Sequence, residues 1–179
     1  MLAAIGRVAG ESAAVEEVFR ELLCFLIDSP YGRVLAAGES ITSVCTMCLK
    51  VAQYNRNLTE DQLNRLIGLV KAVHALSPMR NFLVHARWEK GSEPGRHYGE
   101  RSSRPSPKKD GVGMNELLAW EVSDATELAD NFVDLRKIVE AFIDDSFDQK
   151  VYTIWRRSDL EKFEKAMMGL FDNADTIWR

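Results

Sequence analysis

The hexapeptide Arg80-Asn81-Phe82-Leu83-Val84-His85 sets a guanidinium and an imidazole five positions apart, with a carboxamide next to the first of them. An imidazole gains and loses a proton near neutral pH, so it can act as base and as acid in one reaction. A guanidinium grips two phosphate oxygens at once and offsets their charge. Together the two suit attack of a ribose 2′-hydroxyl on the adjacent phosphodiester, a reaction that needs no metal ion. Asn81 stands four residues before His85, on the same face of a helix, where it can orient the ring or a bound phosphate by hydrogen bonding.

A helix is the element expected to carry these groups. At about 100° per residue, Met79, Phe82, Leu83 and Ala86 share a side that faces the core, and Val84 and Trp88 fall on the opposite side. Arg80 and Arg87 edge this second apolar strip on one flank, and Asn81 and His85 on the other. Such a strip reads as a contact between two copies of the chain, which makes Val84 and Trp88 expected dimer-interface residues. The alternative is that both pack beneath the segment that follows. Within one helix Arg80 and His85 diverge by roughly 140°, so a two-fold pair of chains would surround a phosphate better than one chain does. Ser77 as N-cap and Pro78 at the first helical position predict a new helix start just before Arg80. Its free amides would favour an anion there. The plain structural alternative for the pair is a surface arginine and a histidine bonded to a neighbouring carbonyl or carboxylate.

At these residues the chain resembles the HEPN family (higher eukaryotes and prokaryotes nucleotide-binding), whose signature is Arg, often followed by a polar residue, then His after four to six residues. The resemblance implies an all-α, HEPN-like helical bundle and a homodimer that cleaves RNA without metal or cofactor. Arg80 and His85 are then catalytic and Asn81 supporting. It further implies a toxin–antitoxin or antiphage setting, with a nucleotidyltransferase-type antitoxin as an expected partner. Some members of the family bind or dimerise without cutting, so a non-catalytic module for a nucleotide, RNA or protein is the alternative. A long basic stretch after the motif departs from the family pattern.

The rest of the chain supplies scaffold. Val15, Val18, Phe19, Leu22, Leu23 and Leu26 recur three and four apart and predict a helix from about Glu11 to Ile27, stopped near Asp28-Ser29-Pro30. A second helix is expected from about Ser40 to Tyr54. The third start is the best marked, because Thr59 and Gln62 form a capping box and Leu58 and Leu63 a hydrophobic staple. From Lys90 to Gly113 the chain is rich in Gly, Pro, Ser and Arg and lacks periodicity, which predicts a mobile loop or a short hairpin. Arg96, Arg101, Arg104, Lys108 and Lys109, with Arg87 before them, could contact an RNA backbone there, against the plainer reading of a solvated loop. Asp124 and Glu127 mark a further helix start, with a stripe of Leu128, Phe132, Leu135, Ile138, Val139 and Phe142. A last helix is expected from Ser158.

Composition narrows the classes. The 179 residues, 46% of them hydrophobic, suffice for one domain with its own core. A net charge of −4 speaks against a broad nucleic-acid-coating surface but not against a local phosphate site. No apolar run approaches the roughly 20 residues of a membrane span, and nothing at the start reads as a secretory signal, so a cytoplasmic protein with no membrane partner is expected. Three cysteines do not make a disulfide framework. Cys45 and Cys48 have metal-ligand spacing but no second pair, and both fall on the apolar side of their helix, so packing is the reading preferred to zinc. His74 continues an apolar stripe and is assigned no role.

Overall fold

The computed structural model describes residues 1–92, 95–102 and 115–147. Among these the chain is mostly helical, with one small antiparallel sheet inserted after the motif helix. The expectation of a purely all-α protein is therefore corrected.

Helix α1 (Leu2–Leu26) is central and packs against the other four helices. It starts nine residues before the expected position. Gly6 and Gly10, poor helix formers, hide the continuation of the stripe to Val8, which is fully buried in line with Val15, Phe19 and Leu22. After the short α2 (Tyr31–Leu35), helix α3 (Ile41–Ala52) begins at Ser40, whose hydroxyl accepts the Ser43 amide at 3.3 Å. Val44, Cys45, Cys48 and Ala52 turn inward.

Helix α4 (Glu60–His85) opens on the expected capping box. Thr59 Oγ1 accepts the Gln62 amide at 3.2 Å, and the Thr59 amide donates to Gln62 Oε1 at 2.8 Å. Glu60 and Asp61 stand in its first turn, where the helix dipole favours negative charge. The helix then runs through Pro78 without a restart. Proline removes the amide that would bond the His74 carbonyl, and the Ser77 hydroxyl turns back onto its own helix, donating to the Val73 carbonyl at 2.7 Å. Ser77 is thus not an N-cap. Met79, expected in the core, is 45% exposed.

The helix also ends three residues before the expected Trp88. Ala86 takes extended geometry and the chain enters β1 (Arg87–Lys90), then β2 (Arg96–Ser102) and β3 (Asn115–Glu121), in sheet order β1-β2-β3. Part of the expected loop is therefore an ordered hairpin, and β3 was not foreseen. Registration places Trp88, Gly99 and Leu118 in one row across the sheet, with His97 opposite Trp120. Trp88 makes edge contacts with Phe82 and with Trp120, the ring centres 6.0 and 6.5 Å apart. Its indole N–H donates to the Leu83 carbonyl at 2.8 Å. That carbonyl lies in the last turn of α4, where no helical amide can reach it, so Trp88 closes the helix end. A Cβ on Gly99 would meet the Trp88 ring at 2.8 Å and the Phe82 ring at 3.0 Å. Gly99→Ala is accordingly expected to lower stability by about 1–3 kcal/mol through overpacking. Urea denaturation followed by tryptophan fluorescence checks this.

Helix α5 (Val122–Ser146) follows β3 directly. Its cap is Glu121, whose amide donates to Asp124 Oδ2 at 2.7 Å, so Asp124 is the third helical residue and not the cap. Leu128, Phe132, Leu135, Val139 and Phe142 are buried as expected, whereas Ile138 is 54% exposed. The helix expected from Ser158 lies outside the described residues.

Candidate functional site

Arg80 and His85 sit in the last two turns of α4, a helix that packs against α1, α3, α5 and β2. Arg80 is half-buried and points towards α1. Its Nε donates to Ser12 Oγ at 3.2 Å, and its Nη1 donates to Asn81 Oδ1 at 2.9 Å. Ser12 in turn donates its proton to the Ala9 carbonyl at 3.0 Å, which leaves the hydroxyl oxygen free to accept from the guanidinium. Among the described residues no carboxylate lies within ion-pairing distance of Arg80. A guanidinium offers five N–H donors, so most of its hydrogen-bonding capacity and its whole charge remain uncommitted.

The guanidinium faces a cleft of about 150 Å³ between α1, α3 and α4, lined by Ser12, Glu16, Ser40, Thr42, Ser77 and Asn81 among others. That volume holds on the order of five waters at about 30 Å³ each. The one carboxylate on its wall, Glu16, is ion-paired with Arg20. The helix N-terminus near Arg80 is thus not that of its own helix, as the sequence implies, but that of α3. Ser40, Ile41 and Thr42 on the cleft wall are the cap and first two residues of α3.

His85 is the last residue of α4 and exposed, and its side chain makes no hydrogen bond or ion pair among the described residues. Asn81 stands between the two groups, about 100° from Arg80 and 40° from His85 around the helix. The structure spends its carboxamide oxygen on Arg80, so Asn81 orients the guanidinium in place of the imidazole. Five residues at 1.5 Å rise put Arg80 and His85 about 7.5 Å apart along the axis, facing directions roughly 140° apart.

The apolar strip expected from Val84 and Trp88 does not form. Val84 is half-buried on the helix, and Trp88 is on β1, engaged with Phe82, Trp120 and the Leu83 carbonyl of its own chain. The exposed face of α4 instead carries His74, Pro78 and His85, and His74 is a surface residue and not part of an apolar stripe. Arg87 is exposed and 3.5 Å from Glu89, a surface pair of little energetic weight. Arg96 is exposed and Arg101 half-buried on β2, whereas Arg104, Lys108 and Lys109 lie outside the described residues. Ser12, and the place of the α3 start on the cleft wall, escaped sequence reading, although a helix start at about Ser40 was expected. Ser12 reaches Arg80 across 68 positions, and no local pattern signals such a contact.

The cysteines line the interior. Cys45 and Cys48 are buried, and burial holds both thiols well above the ordinary range, with the Glu16 charge adding to the effect at Cys45. A protonated thiol is neither a nucleophile nor a metal ligand. Among the described residues no group of three or more His, Cys, Asp or Glu side chains is placed to hold a metal ion, and no helix is long and apolar enough to cross a membrane.

Compared with protein-family models, with curated proteins and with solved structures, the chain matches none.

Proposed function

We propose that the chain is a HEPN-like helical protein that works as a homodimer and cleaves RNA by metal-independent transfer at the ribose 2′-hydroxyl. The observation that carries this reading is the half-buried Arg80 guanidinium. Ser12 and Asn81 hold it in place, no carboxylate among the described residues pairs with it, and an exposed His85 stands five residues further along the same helix.

In the reaction one imidazole, as free base, takes the proton of the 2′-hydroxyl. The 2′-oxygen bonds to phosphorus, the bond from phosphorus to the 5′-oxygen breaks, and a second imidazole, as imidazolium, protonates that leaving oxygen. The products are a 2′,3′-cyclic phosphate and a 5′-hydroxyl end, and the two imidazoles have exchanged protonation states. Arg80 offsets the charge that develops on the phosphate oxygens. One chain offers a single His85, and it faces away from Arg80, so the second imidazole comes from the second copy. The exposed α4 face bearing His74, Pro78 and His85 is the surface through which the copies meet. RNA is the substrate, with Arg87, Arg96 and Arg101 beside the site as backbone contacts. A cytoplasmic defence or toxin–antitoxin role, with a nucleotidyltransferase-type antitoxin, rests on the family resemblance at the hexapeptide.

A second reading, a non-catalytic phosphate- or nucleotide-binding module, is favoured by one observation. Arg80 turns into a cleft within its own subunit, away from the face that carries His85. Two matched oligonucleotides separate the readings, one all-ribose and one with 2′-deoxyribose at the cut position. The protein is expected to cut the first in excess chelator, leaving a 2′,3′-cyclic phosphate, and to spare the second, while sedimenting as a dimer. Cutting of the 2′-deoxy strand would overturn the mechanism, and binding without cutting would leave the module reading.

A further inference from the structure

We infer that the cleft between α1, α3 and α4 is a phosphoryl-group site whose second wall is the amino end of α3. The inference deepens the preceding reading, on which it rests for Arg80 as the group that holds phosphate.

Three observations converge on one small volume. The Arg80 guanidinium enters from α4 with donors left over and no carboxylate among the described residues to neutralise it. The hydroxyl-bearing residues Ser12, Ser40, Thr42 and Ser77, drawn from three sides, line the same cleft. Ser40, Ile41 and Thr42 bring the start of α3 to the wall facing Arg80. The Ser40 hydroxyl already serves the Ser43 amide, and the amides of Ile41 and Thr42 have no acceptor among the described residues. The Ser12, Ser40 and Ser77 hydroxyls give their protons to the Ala9 carbonyl, Ser43 Oγ and the Val73 carbonyl, so the donors left for a ligand are the Arg80 guanidinium, the amides of Ile41 and Thr42 and the Thr42 hydroxyl. A tetrahedral dianion or monoanion with several acceptor oxygens is the ligand that satisfies such a set. A volume of about 150 Å³ admits a phosphoryl group with part of an attached sugar. Glu16 does not reverse the sign of the site, because Arg20 pairs with it.

Inorganic phosphate, a phosphate monoester and an RNA backbone phosphate share this chemistry, and competition tells them apart. The test uses the full chain. Binding of inorganic phosphate, and of a 5′-mononucleotide, is measured by calorimetry for wild type, Arg80→Gln and Thr42→Val, with circular dichroism confirming that each variant is folded. Thr42 is exposed, so its isosteric replacement does not threaten the core. Wild type is expected to bind one phosphate per chain. Arg80→Gln should bind about tenfold or more weakly, since charge-assisted hydrogen bonds are lost, and Thr42→Val a few-fold more weakly. Equal phosphate binding by wild type and Arg80→Gln, or no binding to wild type at millimolar phosphate, overturns the inference.

A 2′-O-methyl RNA that cannot be cut is then added to the phosphate complex. Displacement of phosphate identifies an RNA backbone as the natural occupant, and retention identifies a free phosphate compound; either upholds the site. Phosphate binding without RNA cleavage removes the preceding mechanism and leaves this site standing. Cleavage without phosphate binding removes this site alone.

Discussion

Replacing His85 by alanine is expected to lower the rate of RNA cleavage by about 10²- to 10⁴-fold, the usual contribution of a positioned general acid or base. Both imidazoles of the dimer vanish in this variant, so the 2′-hydroxyl and the leaving oxygen lose their proton partners together. Stability should hardly change. His85 is exposed at the end of α4 and has no partner to lose among the described residues, and surface substitutions of this kind stay within about 0.5 kcal/mol. Single-turnover cleavage and thermal melting measured on the same preparations make the comparison. An unchanged rate rules out imidazole catalysis, whereas a lost rate with a lowered melting point would show only that the fold had failed. Arg80→Lys sharpens the result, because lysine keeps the charge but not the two-pronged grip, and it leaves Ser12 and Asn81 without the planar group they hold.

The second large effect is alkaline destabilisation through the interior thiols. In the unfolded chain a cysteine loses its proton near pH 8.5–9, whereas burial, aided by the Glu16 charge, pushes Cys45 up to about 12 in the fold and raises Cys48 as well. Above about pH 9 the unfolded chain has released protons that the folded chain still holds, so a rise in pH draws the equilibrium towards unfolding. The stability contributed by the protonated thiols is complete below pH 9 and is lost as pH climbs towards 12. Each thiol costs about 1.4 kcal/mol per pH unit in that window, or about 2 kcal/mol each by pH 10.5. Urea midpoints in excess reductant at pH 8 and 10.5, for wild type and for Cys45→Ala/Cys48→Ala, isolate the effect. The two proteins differ only at these thiols, so the double variant should lose about 4 kcal/mol less than wild type on going to the higher pH. Equal losses would show that the thiols are not held protonated.

The elements that the sequence reveals are those whose cause lies within a few residues. Thr59 and Gln62 satisfy each other's backbone across three positions, so the start of α4 is legible. The stripes Val15 to Leu26 and Leu128 to Phe142 are legible because helical period and burial coincide along one face. The chemistry of Arg80, Asn81 and His85 is legible as a set of functional groups with a spacing. That is as far as local pattern extends.

What the tertiary structure decided has its cause elsewhere in the chain. Ser77-Pro78 reads as a break, yet α4 continues because its inward face packs against α1, α3 and α5 while Pro78 itself lies on the exposed face. Helix geometry fits residues 86–88 by period alone, but the chain turns to β1 there. Strand β2 supplies backbone partners to β1 from up to 13 positions away and itself pairs with β3 across up to 25, and the Trp88 indole closes the last turn of α4. The strands are mostly polar with no run of alternation, so only their pairing marks them. For the candidate site the same division holds. The residue types and their spacing on one helix follow from the sequence, whereas the direction of Arg80 depends on its bond to Ser12, and the cleft it enters on the packing of α3 against α1 and α4, which no neighbouring residue encodes.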